Sequence, residues 1–486
     1  MQKVLVIGAG TMGSGISMWF AQQNVQAYLY DLNAELLQRS VDRCIQTWDK
    51  LKEKGKFTVE EINNFKLNLF PVHQLDFIDK DFNIVIEAII EKIEPKISVF
   101  NQLHELVDEK CIFATNTSGL SIEQIKSAIP KQRRPNFIGL HFFNPATIMK
   151  LVEIVATPEQ ETLTLKMKEF FESKGKVPVI CQDRPGFICN RIARNFYGEA
   201  FRYCDRYSKE IFLSVDYIMR EVGSFKMGPF ELMDLIGIDI NLSATINVWE
   251  GFNKDPRFAP HSVQKQMVQK GKFGLKSGEG FLNKEKLELP EVSDGGTYRT
   301  HIGHQINESI DDDIELYIDL SRSSLEEKVK LYKNLSSKKV KVLSDLSTYS
   351  KESFRQLFKL VDGSLAYKFK NNSKVEVLTH SNDQKLLNSI RQSLELYPVV
   401  HHHSSGHIFP RIISMIFNEA QLSIDENLAS KLDIDNAMRF GLNYPIGPLK
   451  WIKQFKVEDI KKVLKNLPSY NKTDPASRYR RAEKFT

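Results

Sequence analysis

Hydrophobic positions along the first 180 residues fall into short runs of strand length, with helical patterns between several of them. The runs lie at residues 3–7, 27–30, 82–88, 111–114, 137–140 and 151–155. Two charged helical patterns, at about 34–54 and 59–65, interrupt this series before a further run at 68–70. The repeated βαβ order predicts a mostly parallel, doubly wound Rossmann-type sheet with an inserted helical hairpin.

The pattern changes after Pro185 and becomes almost entirely helical to about Leu282, which predicts an all-α domain. Polar stretches follow, and short strand patterns at 340–343, 365–369 and 375–378 predict a small degenerate α/β segment without phosphate-binding glycines. The predicted domains are a nucleotide-binding domain at 1–183, an all-α domain at 184–284, a linker with the degenerate α/β segment at 285–400, and a second all-α repeat at 401–486.

The second all-α unit repeats the first in sequence. Six residues recur 220 positions later: Gly186, Ile188, Arg191, Ile192, Glu199 and Ala200 return as Gly406, Ile408, Arg411, Ile412, Glu419 and Ala420. Five more recur 219 positions later: Asp216, Met219, Arg220, Gly228 and Pro229 return as Asp435, Met438, Arg439, Gly447 and Pro448. Asn190, however, aligns with Pro410, and the second half of the sequence contains no copy of Gly8–Gly13 or of His141. The second repeat is therefore expected to be structural.

The first strand runs directly into a glycine-rich turn with the GxGxxG spacing of dinucleotide-binding loops. Its residues are Gly8, Ala9, Gly10, Thr11, Met12 and Gly13. Glycines at these places permit a tight turn and a close approach of backbone to pyrophosphate, and the following helix directs N–H groups at the anion. Asp31 ends the next strand, where an acid binds the ribose hydroxyls and repels a 2′-phosphate. The predicted cofactor is therefore NAD rather than NADP.

A histidine and a carboxylate lie twelve positions apart at two strand ends, as His141 and Glu153. Histidine accepts and releases protons near neutral pH, and a carboxylate bonded to its far nitrogen fixes the tautomer and stabilises the imidazolium. The pair predicts a general base and its orienting group in an alcohol dehydrogenase. A partly buried structural histidine is the alternative interpretation.

Composition excludes several classes. The net charge of +6 with 26% charged residues shows neither a nucleic-acid-binding tract nor an acidic tail. No apolar run is long enough for a membrane span, and the first strand leaves no room for a signal peptide, so a cytoplasmic protein is expected. The five cysteines lack metal-ligand spacing. The adjacent His401, His402 and His403 are interpreted as a loop, with no metal predicted.

Seven motifs together resemble the L-3-hydroxyacyl-CoA dehydrogenase family over residues 1 to about 283. They are Gly8–Gly13, Ile86–Glu91, Asn116–Ser118, His141–Pro145, Pro185–Arg191, Gly228–Leu232 and Gly278–Phe281. The length and the second repeat resemble the two-repeat bacterial 3-hydroxybutyryl-CoA dehydrogenases, including those of phenylacetate degradation. The resemblance implies reversible NAD-dependent oxidation of a 3-hydroxyacyl-CoA to a 3-ketoacyl-CoA, with His141 as base and Glu153 as its partner.

The resemblance also implies further site residues. Ser118 and Asn190 are expected to hydrogen-bond the substrate; a helix cap and a structural amide are the respective alternatives. Glu91 and Lys96 are expected near the nicotinamide ribose, Ser118 and Asn144 near the nicotinamide, and Lys276 as a further cofactor contact. For Lys96 and Lys276 an exposed helix charge is the alternative. These assignments add to the cofactor contacts of the glycine turn and Asp31.

Coenzyme A carries phosphates, and the inserted hairpin ends in basic residues suited to bind them. These are Lys50, Lys52, Lys54 and Lys56. By the resemblance, Thr47, Lys54 and Ser118 contact the coenzyme A substrate, although a solvated charged face is an equal alternative for any one lysine. Two other functions remain open from the sequence: a dehydrogenase of a free hydroxy or sugar acid, and a nonenzymatic NAD-binding scaffold.

Short members of the family pair through their all-α domains. The second repeat is therefore expected to pack on the first within one chain as an intrachain pseudo-dimer. A homo-oligomer stays open, and neither a nucleic acid nor a membrane is expected as a partner.

Overall fold

The computed structural model describes residues 2–204, 206–288, 295–306, 308–311, 313–402, 405–470, 479–483 and 485. The chain forms two compact units. The first comprises Met1–Arg191 with Ser423–Asn443, and the second comprises Ile192–Leu422 with Tyr444–Thr486. These units cross the domain boundaries predicted from the sequence, because part of the second repeat belongs to the first unit.

Eight strands form the sheet of the first unit, in the order β3-β2-β1-β4-β5-β6-β7-β8. They are β1 Lys3–Ile7, β2 Gln26–Tyr30, β3 Leu69–Val72, β4 Ile84–Glu87, β5 Ile112–Thr115, β6 Phe137–Phe142, β7 Leu151–Val155 and β8 Val177–Cys181. Neighbouring strands are parallel except β6 and β7. The predicted Rossmann-type sheet is confirmed, and the strand order reverses beside β1, where such sheets bind nucleotides.

The helices of the described chain are α1 Thr11–Gln22, α2 Ala34–Glu53, α3 Val59–Leu67, α4 Ile93–Leu106, α5 Ile122–Ala128, α6 Glu161–Ser173, α7 Cys189–Cys204, α8 Lys209–Glu221, α9 Pro229–Ile236, α10 Ile238–Gly251, α11 Ser262–Gln269, α12 Leu325–Ser337, α13 Lys351–Phe358, α14 Gln384–Leu394, α15 Phe409–Asp425, α16 Lys431–Leu442, α17 Pro448–Trp451 and α18 Val457–Tyr470. None of them is long and apolar enough to cross a membrane.

The inserted hairpin consists of α2 and α3, as predicted. Helix α2 begins after Asn33, whose side chain accepts the N–H of Leu36, and α3 begins with a capping box between Thr58 and Glu61. The buried side chains of α2 recur at helical spacing: Leu37, Val41, Cys44 and Trp48. This apolar stripe fixes one face of α2 against the core, and the opposite face carries the charged residues to solvent.

Helices α7–α11 form the predicted all-α region. Two buried aspartates organise it by accepting backbone N–H groups. The carboxylate of Asp216 in α8 accepts the N–H groups of Phe230 and Glu231 at 3.0 and 2.7 Å, at the start of α9. Asp234 in α9 accepts those of Phe281 and Leu282 at 2.7 and 2.8 Å. These bonds satisfy N–H groups that no helix partner reaches.

Six strands form a second sheet, in the second unit, in the order β14-β13-β12-β11-β10-β9. They are β9 Thr300–Gly303, β10 Leu316–Asp319, β11 Lys341–Asp345, β12 Gly363–Leu365, β13 Lys374–Thr379 and β14 Tyr397–His401. Only β12 and β13 pair antiparallel. The order matches β8-β7-β6-β5-β4-β1 of the first sheet, so this second module, β9–β14 with α12–α14, is a reduced copy. Its described residues contain no counterpart of β2, β3 or the hairpin.

The predicted α/β segment is thus confirmed, with two differences in detail. The predicted strand at 365–369 ends at Leu365 and continues as a 3-10 turn. There the backbone N–H and the amine of Lys368 turn towards the carboxylate of Asp345, at 2.8 and 3.3 Å, which draws the chain off the sheet. His401, predicted in a loop, is the last residue of β14, because its ring bonds to Glu376 on the neighbouring strand.

A buried ion pair shows how close the two copies remain. Glu87 ends β4 and binds the amine of Lys96, nine residues later, at 2.6 Å. Asp319 ends β10 and binds the amine of Lys328, also nine residues later, at 2.5 Å. All four side chains are buried. The second copy has kept this structural pair while losing the glycine turn.

The α-helical repeats exchange one helix each. In the second unit, α8 of the first repeat packs near β14, where the amine of Lys374 binds Glu221 at 2.7 Å and the amide of Asn371 donates to Val222. In the first unit, α16 of the second repeat packs on β7 and β8. There a Cβ added to Gly441 would lie 2.4 Å from Leu151, so only glycine permits this close approach. Each sheet is thus covered by a helix from the other repeat.

Two buried ion pairs join the repeats within the second unit. Arg411 of α15 binds Glu199 of α7 at 2.7 Å. Glu419, the repeat counterpart of Glu199, binds Arg257 at 3.0 Å. Breaking a buried ion pair lowers the stability of the fold, because the buried charge that remains has lost a partner.

Candidate active site

His141 and Glu153 face each other across the antiparallel pair β6 and β7. The imidazole Nδ1 lies 2.6 Å from the Glu153 carboxylate, and both side chains are buried. An ionised carboxylate can only accept, so Nδ1 carries the proton and donates. In the neutral imidazole, this tautomer has no proton on Nε2, as a base requires. The predicted pairing of the two residues is present in the structure.

Glu153 is itself held by the start of α7. Its second oxygen accepts the N–H groups of Ile188 and Cys189 at 3.0 and 2.9 Å. These donors stabilise negative charge on the carboxylate, since they lie at a helix N-terminus. Both oxygens of Glu153 are thus committed, one to the helix and one to the histidine.

Ser118 lies in the loop that follows β5, at the carboxyl edge of the sheet. Its N–H and hydroxyl both donate to Glu91, at 2.8 and 3.1 Å, and its carbonyl accepts the amide of Asn190 at 3.1 Å. The alternative of a helix cap is wrong for Ser118, because Ser121 caps α5. Asn190 follows Cys189 directly, so the backbone that anchors Glu153 also places Asn190 on Ser118.

Glu91 is the centre of a polar network at this edge of the sheet. Thr117 donates its hydroxyl to Glu91 at 2.6 Å, and the Lys96 amine lies 3.3 Å away. Burial alone would raise the pKa of the Glu91 carboxyl, but the Lys96 charge and these hydrogen bonds outweigh it and lower the pKa. Lys96 is only 1% exposed and also binds Glu87, so the alternative of an exposed helix charge is wrong.

The glycine turn fits a dinucleotide. Gly8 has φ +104°, and a Cβ on Gly13 would lie 1.7 Å from the Gly8 carbonyl oxygen, so these two glycines are required for the turn itself. Gly10 faces open space and permits a close approach from outside. Thr11 and Met12 begin α1, and the N–H groups at the N-terminus of this helix are suited to bind a phosphate. The Asp31 carboxylate accepts the N–H of Ala9 at 2.7 Å and so lies beside this turn.

Lys176 and Asn116 are structural site residues to which the sequence analysis assigned no role. The Lys176 amine donates to the carbonyls of Ala146 and Met149, at 2.5 and 2.6 Å, and holds the exposed loop that contains Asn144. Burial lowers the pKa of Lys176 to about 8. Asn116 accepts the N–H of Phe142 at 2.8 Å and ties the Ser118 loop to the end of β6. The sequence signal for Asn116 was the presence of a polar residue directly after β5. No sequence signal indicated the role of Lys176.

The basic residues at the end of α2 are mostly unpaired. Lys50, Lys54 and Lys56 are exposed and have no ion-pair partner in the described part of the chain, whereas Lys52 lies 3.4 Å from Asp49. Thr47 is exposed and donates its hydroxyl to the Arg43 carbonyl. Lys276 belongs to the second unit, where it binds Asp239 at 2.6 Å with 44% of its side chain exposed.

The three adjacent histidines do not share one site. His401 Nε2 binds Glu376 at 2.7 Å, His402 bonds to the Thr379 carbonyl, and His403 lies outside the described residues. His407 completes a buried group with Glu376 and His401 whose three potential metal-binding atoms lie within 4.8 Å of one another. Two ligands of one tetrahedral zinc would be about 3.4 Å apart, so the 2.7 Å contact favours a hydrogen bond over coordination.

A glycine turn, an acid after β2 and an oriented histidine at the crevice of the sheet define an NAD-dependent dehydrogenase. Two family models match the chain: the NAD-binding domain of 3-hydroxyacyl-CoA dehydrogenase over residues 3–184, and its C-terminal domain over residues 186–284 and again over 406–485. The chain belongs to the 3-hydroxyacyl-CoA dehydrogenase family, and its cofactor is NAD.

Similar proteins support this assignment over most of the chain. The 3-hydroxyadipyl-CoA dehydrogenase of Escherichia coli is 33% identical over 96% of this chain and 94% of its own length. The pig mitochondrial hydroxyacyl-coenzyme A dehydrogenase is 36% identical over 58% of this chain and 90% of its own. The crystal structure of an Escherichia coli 3-hydroxybutyryl-CoA dehydrogenase matches with a TM-score of 0.79 at 31% identity, covering 99% of this chain and 97% of that one.

Proposed function

We propose that this chain catalyses the reversible oxidation of an (S)-3-hydroxyacyl-CoA to the 3-ketoacyl-CoA with NAD, at one centre built around His141. The observation that carries the proposal is the buried 2.6 Å contact between His141 Nδ1 and Glu153, beside a glycine turn that fits a dinucleotide. Bound NAD supplies the hydride acceptor for C3.

His141 takes the proton of the 3-hydroxyl at Nε2 as the C3–H bond breaks and the C–O bond becomes a carbonyl. Glu153 fixes the tautomer through Nδ1 and stabilises the imidazolium that forms. Positioned proton transfer of this kind contributes roughly 10²–10⁴-fold to the rate. In the reverse direction the imidazolium returns its proton to the developing alkoxide.

Ser118 and Asn190 are the proposed substrate donors, and their mutual hydrogen bond supports a shared role. Glu91 and Asn144 are the proposed contacts to the nicotinamide half of the cofactor. Lys96 is buried and bound to two glutamates, so it would act chiefly by holding Glu91 in place. Lys276 remains a predicted cofactor contact.

The unpaired lysines at the end of α2 support a coenzyme A thioester over a free acid. Phosphates bind where exposed ammonium groups lack carboxylate partners, and Lys50, Lys54 and Lys56 meet that condition. Lys54 and Thr47 are the proposed coenzyme A contacts. The names of the two Escherichia coli relatives suggest short acyl groups, with or without a terminal carboxylate.

The assay that tests the proposal follows NADH oxidation with acetoacetyl-CoA, with free acetoacetate and with a sugar acid. Turnover with acetoacetyl-CoA is expected to exceed the others by orders of magnitude. A Lys50→Glu/Lys54→Glu variant should raise KM for acetoacetyl-CoA, whereas Lys330→Glu, an exposed lysine of the second unit, should not. Activity on free acids alone would reject the thioester, and no turnover with any substrate would favour a scaffold.

The reciprocal helices and the two buried ion pairs support a further part of the proposal, an intrachain pseudo-dimer of the α-helical repeats. In this arrangement residues 401–486 supply the partner surface that a second subunit supplies in a short family member. Sedimentation of the purified chain would show whether homo-oligomers also form. The cytoplasmic location stays a prediction of the sequence.

A further inference from the structure

The second module has its own cleft at the carboxyl edge of its sheet. It lies between the segments that follow β10 and β11 and the helix α18, and it has a volume of about 310 Å³. Open parallel sheets bind ligands at this edge. The corresponding edge of the first sheet carries Glu91 and Ser118, so the second cleft occupies the place of the active site in a module whose role is unassigned.

The second cleft is basic. Four cations line it, and no carboxylate is among its lining residues in the described chain: Arg322, Lys368, Lys462 and Lys465. Arg322 is paired with Asp459 at 2.6 Å, and Lys368 with Asp345 at 3.3 Å. Lys462 and Lys465 are exposed on one face of α18 and have no acid partner within the described residues. Two positive charges are therefore available to a ligand.

A buried hydroxyl without a partner faces this cleft. Ser321 lines it, is 1% exposed, and its Oγ has no hydrogen-bond partner among the described residues. Its N–H donates to Asp319 at 2.8 Å, as the N–H of Ile89 donates to Glu87 at 2.7 Å in the first module. The copy thus carries a hydroxyl where the active-site module carries an apolar side chain. A buried polar atom is costly unless something satisfies it.

The carboxyl edges of the two sheets also differ in charge. Glu91 follows Glu87 by four residues, and Ser323 follows Asp319 by the same number, so the second module has a hydroxyl where the first has its central acid. Ser324 and Ser350 cap α12 and α13, and the N-termini of both helices add partial positive charge at the cleft. Hydroxyls, ammonium groups and helix N-termini together suit a phosphate dianion.

We propose that the second cleft binds a phosphate-bearing anion no larger than a mononucleotide, through Ser321, Lys462 and Lys465. A dinucleotide is a poor candidate, because the described module has no counterpart of the glycine turn, β2 or β3. Two sources carry the right chemistry: free phosphate, and the adenosine 3′,5′-bisphosphate end of a coenzyme A molecule.

The test is calorimetric titration of the full-length protein at low ionic strength with NADH saturating, so that the dinucleotide phosphate site is already filled. Inorganic phosphate and adenosine 3′,5′-bisphosphate are titrated separately. A Lys462→Glu/Lys465→Glu variant should weaken binding at this cleft by about tenfold or more, because both free charges reverse. Ser321→Ala should weaken it by a smaller factor. Lys461→Glu changes an exposed neighbour outside the cleft and should leave the affinity within about twofold of the parent.

Binding of free phosphate that the double variant abolishes would identify phosphate as the source, and loss of one bisphosphate site alone would identify the coenzyme A end. A bisphosphate site retained in the double variant corresponds to Lys50–Lys56. The proposal fails if neither probe binds, or if the double variant and the parent bind both probes equally. Acetoacetyl-CoA turnover is measured separately, so failure at this cleft leaves the proposed reaction untouched.

Discussion

The two α/β modules keep the same carboxylate and differ in what lies opposite it. Glu153 and Glu376 occupy equivalent places: each accepts the N–H groups of two residues at the start of a helical repeat, Ile188 and Cys189 in one case, Ile408 and Phe409 in the other. His141 lies opposite Glu153. The residue in the corresponding position opposite Glu376 is Ala366, whose backbone N–H donates to the Glu376 carbonyl. A glutamate in this position can therefore anchor the start of a helix without also orienting a base.

In the second module, the buried Glu376 carboxylate has two histidine neighbours, His401 and His407. Burial by itself would raise the pKa of the Glu376 carboxyl, but hydrogen bonds from His401 and His407 outweigh burial and hold the pKa well below its usual range. Burial also lowers the pKa of His401, against the hydrogen bond to Glu376. The second module therefore keeps the contact between the glutamate and the helix start, whereas Ala366 has no side chain that could transfer a proton.

The largest expected effect comes from His141→Gln, which removes the base. We expect kcat to fall by roughly 10²–10⁴-fold with NADH affinity nearly unchanged, because only the proton-transfer step loses its acceptor. His401→Gln is the matched change in the second module and should leave kcat within about threefold. Steady-state assays with acetoacetyl-CoA, normalised to folded protein, check both. Equal losses in the two variants would break the comparison.

The buried pairs between the repeats predict a large loss of stability. Arg411→Met leaves Glu199 with Arg202 as its remaining ion-pair partner, at 3.2 Å, so we expect about 1.5–3 kcal/mol of destabilisation in urea unfolding. Arg257→Met removes the ion pair with Glu419 and should cost a similar amount. Adding Glu199→Gln to Arg411→Met should recover part of the loss. A cost below about 1 kcal/mol for either arginine would contradict a stabilising role for these two pairs.

The two carboxylates should respond differently to the same amide substitution. In Glu153→Gln one oxygen can still accept from α7, but the imidazolium loses its anion, so we expect kcat to fall about 10–10²-fold. Glu376→Gln should lower the unfolding free energy and leave kcat unchanged. A kcat of Glu153→Gln within about threefold of the parent would remove Glu153 from its orienting role.

The smallest effect concerns Lys176, whose counterpart 220 positions later is the buried Leu396. Burial lowers the pKa of Lys176 to about 8 in the folded protein, whereas an unfolded lysine titrates near 10.4. Between these values the unfolded state binds more protons, so stability rises with pH in this window. Relative to Lys176→Leu, the parent should gain about 1 kcal/mol between pH 8 and pH 9.5. Parallel stability curves for the two proteins would contradict a buried titrating amine.

Local sequence signals predicted the first sheet, the hairpin and the pairing of His141 with Glu153, because each depends on a short pattern. The glycine turn, the strand ends at His141 and Glu153, and the capping residues of α2 and α3 all lie within a few residues of what they determine. The repeat of Gly186 at Gly406 likewise showed the second all-α copy. These features need no knowledge of distant contacts.

Long-range contacts explain what the sequence did not show. The network around Glu91 joins β4, α4 and the Ser118 loop, and the amine of Lys176 reaches carbonyls about 30 residues away. Strands β9 and β10 are only four residues long, too short for a reliable period. The exchange of α8 and α16 between sheets follows from packing alone, which no local pattern encodes.

The measurement that tests one active centre most directly is the number of NADH molecules bound per chain. Fluorescence titration of the full-length protein at concentrations well above the Kd should give one equivalent, since only the first module carries Gly8–Gly13 and Asp31. Addition of excess acetoacetyl-CoA should then oxidise that one equivalent in a single turnover. Two equivalents of NADH, both oxidised, would contradict the assignment of the second module as noncatalytic.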